Sequence, residues 1–220
     1  MHRKFEILVI VAVAVIATSG LAETGKGVTN NLAVAAAGSK TNNLDIVNAA
    51  RAQIGVTVQY VPDYKRIPYP NGDVPRSEGV CVDVVIRALR DARGIDLQKL
   101  VHEDMKSNFS KYPQNWGLTR TDSNIDHRRV PNLQCYFQRC GWALNVSSNA
   151  VDYLAGDLVT CMVTVGGASS KRQRELPHIM VVSDKKSAKG TPLVIHNIGH
   201  GAKEEDCLFT YRITGHYRFK

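Results

Sequence analysis

The chain has 220 residues, 44% of them hydrophobic and 22% charged, with a formal net charge of +8. That balance is ordinary for a soluble globular protein of one domain. The basic residues are scattered and no aromatic-basic recognition motif occurs, which argues against a nucleic-acid binder and leaves anionic envelope polymers or headgroups as attractors.

The N-terminus reads as an export signal. Met1-His-Arg-Lys4 is basic, Ile7 to Ala17 is an apolar run of eleven residues, and Thr18-Ser-Gly-Leu-Ala22 supplies small residues before a cut. Eleven residues are too few to span a bilayer comfortably, and no cysteine follows the small residues to take a lipid. Cleavage after residue 22 removes Arg3, Lys4 and Glu6 and takes the charge from +8 to +7. The expected location is the periplasm or the exterior, with no stable membrane span after cleavage.

Residues 23–43 read as a flexible lead-in, and a single domain is expected over 44–220. Asn43 caps a helix expected from Leu44 to Ile54, stopped by Gly55. From Val58 to Val80 the chain is rich in tyrosine and proline and reads as a structured loop. Then Val82, Val85, Ile86 and Leu89 fall at helical spacing, with Asp83, Arg87, Arg90 and Asp91 assigned to the opposite, polar face. Cys81 stands in the first turn of that helix, which ends near Gly94. A short helix is expected over Leu97–Lys106, a loop over Ser107–Arg129, and a helix after Pro131 that carries Cys135 and Cys140.

From Gly156 onward the pattern changes to β-type runs at Leu158–Val165, His178–Ser183, Leu193–Asn197 and Tyr211–Phe219. Helices first and strands second imply an α+β domain, its N-terminal helices packed on a C-terminal antiparallel sheet. No internal repeat is present.

Two strands each carry a histidine. A hairpin centred on Ser187 places His178 and His196 directly opposite each other on one face. Asn197 looks the other way unless a bulge intervenes. A thiol at a helix N-terminus has its pKa lowered by the dipole and unpaired N–H groups. An imidazole on a facing strand can take its proton, a second polar group fixes the tautomer, and the N–H groups at the helix start can receive an oxyanion. Cys81, His178 and His196 are thus candidate nucleophile, base and orienter, against the plain alternative of a buried structural thiol.

The chain contains Tyr69-Pro-Asn-Gly-Asp-Val74, Gly79-Val-Cys-Val-Asp-Val-Val-Ile-Arg87, Asn124-Ile-Asp-His-Arg-Arg-Val-Pro-Asn132, His196-Asn-Ile-Gly199 and Ile213-Thr-Gly-His-Tyr-Arg218. In these stretches it resembles a secreted bacterial family described as a domain of unknown function (number 1287). More loosely, the order of Cys-helix, His-strand and polar residue is similar to papain-like cysteine peptidases of the NlpC type, which cut amide bonds in peptidoglycan stem peptides. The resemblance implies a papain-like fold, catalytic Cys81, His178 and His196, and Tyr69 in the substrate cleft, twelve residues before the cysteine. The usual Asp-Cys-Ser-Gly is replaced here by Val80-Cys-Val-Asp83.

The remaining substrate-binding candidates are Asp126, His127, Arg128 and Asn197. Arginine forks suit the carboxylates of stem peptides, while the competing reading of the 126–129 cluster is an internal ion-pair network pinning a long loop. The expected activity is an amidase or endopeptidase on cell-wall peptides, with no cofactor and no metal. The rivals are a non-catalytic envelope-binding module, an acyl or thioester hydrolase or transferase, and a metal-dependent hydrolase using His178, His196 and His200 or Asp206. Five cysteines leave at least one thiol unpaired within the chain. A zinc site from Cys135, Cys140, Cys161 and Cys207 would lack the tight paired spacing of structural zinc motifs.

Overall fold

The computed structural model describes residues 43–165 and 174–219, so the expected signal segment and nearly all of the lead-in lie outside the described residues. Helix α1 (Leu44–Arg51) buries Ile46, Val47 and Ala50, and stops three residues before the expected end. Helix α2 (Cys81–Arg93) begins at the thiol. Val80 donates its N–H to the Asp83 carboxylate at 2.6 Å, and Gly94 closes the other end in the left-handed conformation. Helices α3 (Leu97–Ser107) and α4 (Val130–Arg139) follow, the latter with Pro131 in its first turn.

The loop between α1 and α2 contains two short parallel strands, β1 (Gln59–Tyr60) and β2 (Glu78–Gly79). Further strands are β3 (Ala143–Leu144), β4 (Leu158–Val165), β5 (Arg174–Lys186), β6 (Pro192–Asn197), β7 (Ala202–Glu205) and β8 (Arg212–Tyr217). They form one antiparallel sheet in the order β3-β8-β4-β5-β6-β7. The architecture is α+β. Among the described residues no helix is long and apolar enough to cross a membrane.

Alternation along the strands divides two cores. Ile179 and Val181 of β5 and Ile195 of β6 join the helices α1 to α4 in one core. Met180, Val182 and Val194 join Val159, Cys161, Tyr153 and Leu208 in the other. The first of these cores is covered by α2, whose Val82, Val85, Ile86 and Leu89 are at most 2% exposed. Of the expected polar face of α2, Asp83 and Arg87 are buried as well, whereas Asp91 is exposed. Arg87 is fully buried, its fork on Asp73 and its remaining donors on Thr57 Oγ1 and the carbonyls of Val74, Pro75 and Glu78. The 57–79 loop therefore wraps over the helix, which periodicity alone could not show. Gly79 passes so close to α2 that an added Cβ would lie 3.1 Å from the Asp83 Cβ.

Candidate active site

The start of α2 faces the sheet where β5 and β6 part. Their ladder ends at Val181 opposite Ile195, whereas β6 and β7 stay paired as far as Asn197 opposite Ala202. Cys81 occupies that opening. Its sulfur receives backbone N–H contacts from Ile179, Val82 and its own residue, so it lies against the His178–Ile179 peptide. It is only 4% exposed, and it lines a cleft of about 380 Å³. Tyr60, Trp116, Ile125, Arg129, Leu176 and Pro177 are among the other residues of its wall.

The pKa-lowering setting expected at the helix terminus is outweighed by burial. Loss of water around the sulfur pushes the Cys81 thiol up to about 12, even though three N–H groups favour the thiolate. Burial also drives the His178 imidazole down to about 3 and lowers His196. At neutral pH the resting site therefore holds a neutral thiol and neutral imidazoles.

The histidines meet, though not as direct opposites. Val181 and Ile195 are equidistant from position 188, and the register shifts again before Lys186, where a turn joins Ser187 N–H to the Thr191 carbonyl. His178 is thus diagonal to His196 on the same face, a spacing side chains still bridge. His178 Nε2 lies 2.8 Å from His196 Nδ1, and His196 Nε2 lies 3.0 Å from Glu205 Oε2. This chain runs on the face of Cys161, the cross-strand partner of His178. The contact through Nε2 leaves the Nδ1 edge of His178 for another partner.

The substrate-binding candidates fall into different places. Arg128 lines the cleft, but its fork is filled by Asp83, with Nε to Oδ1 and Nη2 to Oδ2 both at 2.9 Å. It is an internal anchor that ties the 126–129 segment to the first turn of α2. Asp126 is buried, accepts the Asp122 N–H and is pushed up to about 6 by desolvation. His127 is 1% exposed and driven down to about 3 by burial, and its Nδ1 has no partner among the described residues. Neither lines the cleft. Asn197 is fully buried and donates its amide to the carbonyls of Gln59 and Gly79, so it holds the β1–β2 loop over the sheet rather than a ligand. Tyr69 stands away from the cleft wall, edge-on to His102. Tyr60 takes a place in the wall instead, because β1 pairs with β2 immediately before Cys81.

Glu205 was not nominated from sequence, Arg129 entered only as a member of the 126–129 cluster, and Cys207 only in the four-cysteine zinc set. Arg129 lies over the Trp116 ring at 4.1 Å, 3.8 Å from Asp126, and its Nη1 has no hydrogen-bond partner among the described residues. Cys207 Sγ lies 3.5 Å from His196 Nε2. The signal for Glu205 and Cys207 was the alternation Lys203, Glu205, Cys207, which shares parity with the face of His196 once β7 is recognised. A four-residue strand of charged side chains does not announce itself. His200 and Asp206 are exposed and do not join this group. His216 is held by Asp157 at 2.7 Å and stacks on Tyr153, a structural role. All five cysteines are free, and the four-cysteine zinc set is not assembled: Cys135 is in α4 and Cys140 caps its end, whereas Cys161 and Cys207 belong to the second core.

These features define an α+β protein with a buried, helix-borne thiol on a cleft wall, against the His178–Ile179 peptide, and a histidine pair on the Cys161 face of its sheet. The chain belongs to the family described as "Domain of unknown function (DUF1287)", whose profile matches residues 47–219. It is 56% identical over 177 residues to the "Uncharacterized protein YijF" of Escherichia coli (strain K12), covering 80% of this chain and 82% of that protein. No solved structure matches the chain.

Proposed function

We propose that the chain is an exported papain-like thiol hydrolase, an amidase or endopeptidase that cuts amide bonds in peptidoglycan stem peptides. The observation that carries this reading is the placement of the Cys81 sulfur. It stands at a helix N-terminus on the wall of a cleft, against the peptide that joins His178 to Ile179.

Hydrogen bonding supports the division of roles. Glu205 Oε2 accepts the hydrogen bond of His196 Nε2–H, so neutral His196 offers a bare Nδ1 to His178 Nε2–H. Neutral His178 then has its lone pair on Nδ1, the form a base requires. His196 is the orienter and Glu205 a positioning residue behind it. The Cys81 proton passes to His178 Nδ1 as sulfur attacks the scissile carbonyl, whose oxygen takes up the negative charge near the N–H groups of Cys81 and Val82. Collapse of that intermediate breaks the C–N bond, and the amine leaves with the proton from His178. Water activated by His178 then hydrolyses the thioester and restores the thiol. Because the resting pair is neutral, proton transfer accompanies carbon–sulfur bond formation instead of preceding it. Arg129, on the cleft wall over the Trp116 ring and with only a 3.8 Å contact to Asp126 to balance its charge, suits a stem-peptide carboxylate.

The test is digestion of purified peptidoglycan with the purified protein, followed by mass spectrometry of the released fragments. Wild type is expected to release peptide fragments and Cys81→Ala none. Equal release by a folded Cys81→Ala variant, or none by wild type, would overturn the reading. The latter result would favour a non-catalytic envelope-binding module, a role the burial of both reacting groups also suits.

A further inference from the structure

We propose that His196, Glu205 and Cys207 form a binding site for a thiophilic divalent cation of the zinc class. One ligand atom from each residue lies within 4.8 Å of the others. His196 Nε2 is 3.0 Å from Glu205 Oε2 and 3.5 Å from Cys207 Sγ. With zinc–nitrogen and zinc–sulfur bonds of about 2.0–2.3 Å, tetrahedral ligands stand about 3.5 Å apart, so the trio needs only small side-chain shifts to close on one ion. Imidazole, carboxylate and thiolate together favour zinc over magnesium or calcium.

The scaffold is rigid where it must be. His196 is 1% exposed and paired across β6 and β7, and Leu208, next to Cys207, is fully buried in the second core. Glu205 has 42% of its side chain exposed, giving an ion a route in from solvent. The ion would hold three protein ligands and leave a fourth position for water.

Binding has a proton balance. Cys207 S–H loses its proton to solvent as the metal–sulfur bond forms. The proton on His196 Nε2 gives way to the metal, and neutral His196 carries it on Nδ1 instead, so one proton is released overall. His196 Nδ1–H then donates to His178 Nε2, and neutral His178 carries its own proton on Nδ1. Resting on the catalytic reading above, this is the tautomer that cannot accept the Cys81 proton. The cation therefore acts as an off-switch applied from behind the base.

Two measurements test this. Isothermal titration of the thiol-reduced full chain with zinc chloride is expected to give one ion per chain and release of about one proton, read from its dependence on buffer ionisation enthalpy. Cobalt substitution is expected to add a thiolate-to-cobalt charge-transfer band. Cys207→Ser is expected to weaken zinc binding at least tenfold and abolish the band, while leaving Cys81 modification without metal unchanged. Absence of stoichiometric binding to wild type, or unchanged affinity and band in Cys207→Ser, would overturn the site. Zinc is further expected to slow alkylation of Cys81, mapped by peptide mass spectrometry, in wild type and not in Cys207→Ser. Cys207-dependent binding with unaltered Cys81 alkylation upholds the metal site and refutes the tautomer link to the thiol.

Discussion

At the scale of single residues, the site is governed by desolvation. Cys81 sits in the first turn of α2, where dipole and N–H groups favour a thiolate, yet 4% exposure dominates and raises its pKa to about 12. The free protein should therefore lack a reactive thiolate at neutral pH. Iodoacetamide modification of Cys81, followed by peptide mass spectrometry, is expected to accelerate steadily from pH 7 to beyond pH 10. A plateau below pH 8 would mean that the sulfur ionises early and that a preformed ion pair exists. Arg129 yields a second expectation. Its place on the cleft wall, stacked on Trp116 and only loosely paired with Asp126 at 3.8 Å, makes it the available cation there, while Arg128 is committed to Asp83. Arg129→Met should raise KM about tenfold for peptides bearing a free carboxylate, in line with loss of a charge-assisted contact worth about 1.5–3 kcal/mol, and leave kcat within about twofold. An unchanged KM on steady-state assay would remove Arg129 from substrate recognition.

At the scale of elements, α2 shows what the sequence could and could not convey. Its apolar stripe, Val82, Val85, Ile86 and Leu89, was legible from spacing, and so was the position of Cys81 at its start. The fate of Asp83 and Arg87 was not, because periodicity assigns polar residues to a solvent face and knows nothing of a loop folding back. Hairpin parity was legible for His178 and His196, since an even separation keeps both on one face. Their exact register depended on a shift near Lys186 that no pattern encodes. The carboxylate behind the histidines went unread, and Cys207 was weighed only with the other cysteines, because β7 is short and charged. The buried Arg87 leads to a prediction about the loop it pins. Arg87→Met leaves Asp73 and four other acceptors without their donor, and loss of one partner from a buried ion pair costs about 3–5 kcal/mol. Urea titration should show that loss. Limited chymotrypsin digestion should cut at Tyr60 or Tyr64 much faster than in wild type. Intact wild-type-like protection would show that the loop is held by other contacts.

For the whole molecule, buried titratable groups set the response to acid. His127 and His178 are held down to about 3 and His196 is lowered, each chiefly by burial, whereas the unfolded chain binds those protons near pH 6.5. Wherever the unfolded state binds more protons, stability rises with pH, so these histidines stabilise the fold above about pH 6.5 and the benefit is lost as pH falls toward 3. Each contributes a slope of up to about 1.4 kcal/mol per pH unit. Asp126 runs the opposite way. Its carboxyl is raised to about 6 in the fold against 3.8 in the open chain, so the folded state holds a proton that the unfolded state has released between those values. It offsets roughly one histidine in that window, so His127 and His178 together leave a net slope of about one proton, or up to about 1.4 kcal/mol per pH unit between pH 6 and 4, to which the lowered His196 adds in the same direction. Urea midpoints measured from pH 7 to 4 should fall accordingly. Asp126→Asn should steepen the fall, because it removes the opposing group, and His127→Gln should flatten it by about one proton. A stability curve flat from pH 7 to 4 would mean that the imidazoles are hydrated and able to take up protons within the folded state. A base that charges in the resting protein could no longer serve as the neutral acceptor for the Cys81 proton.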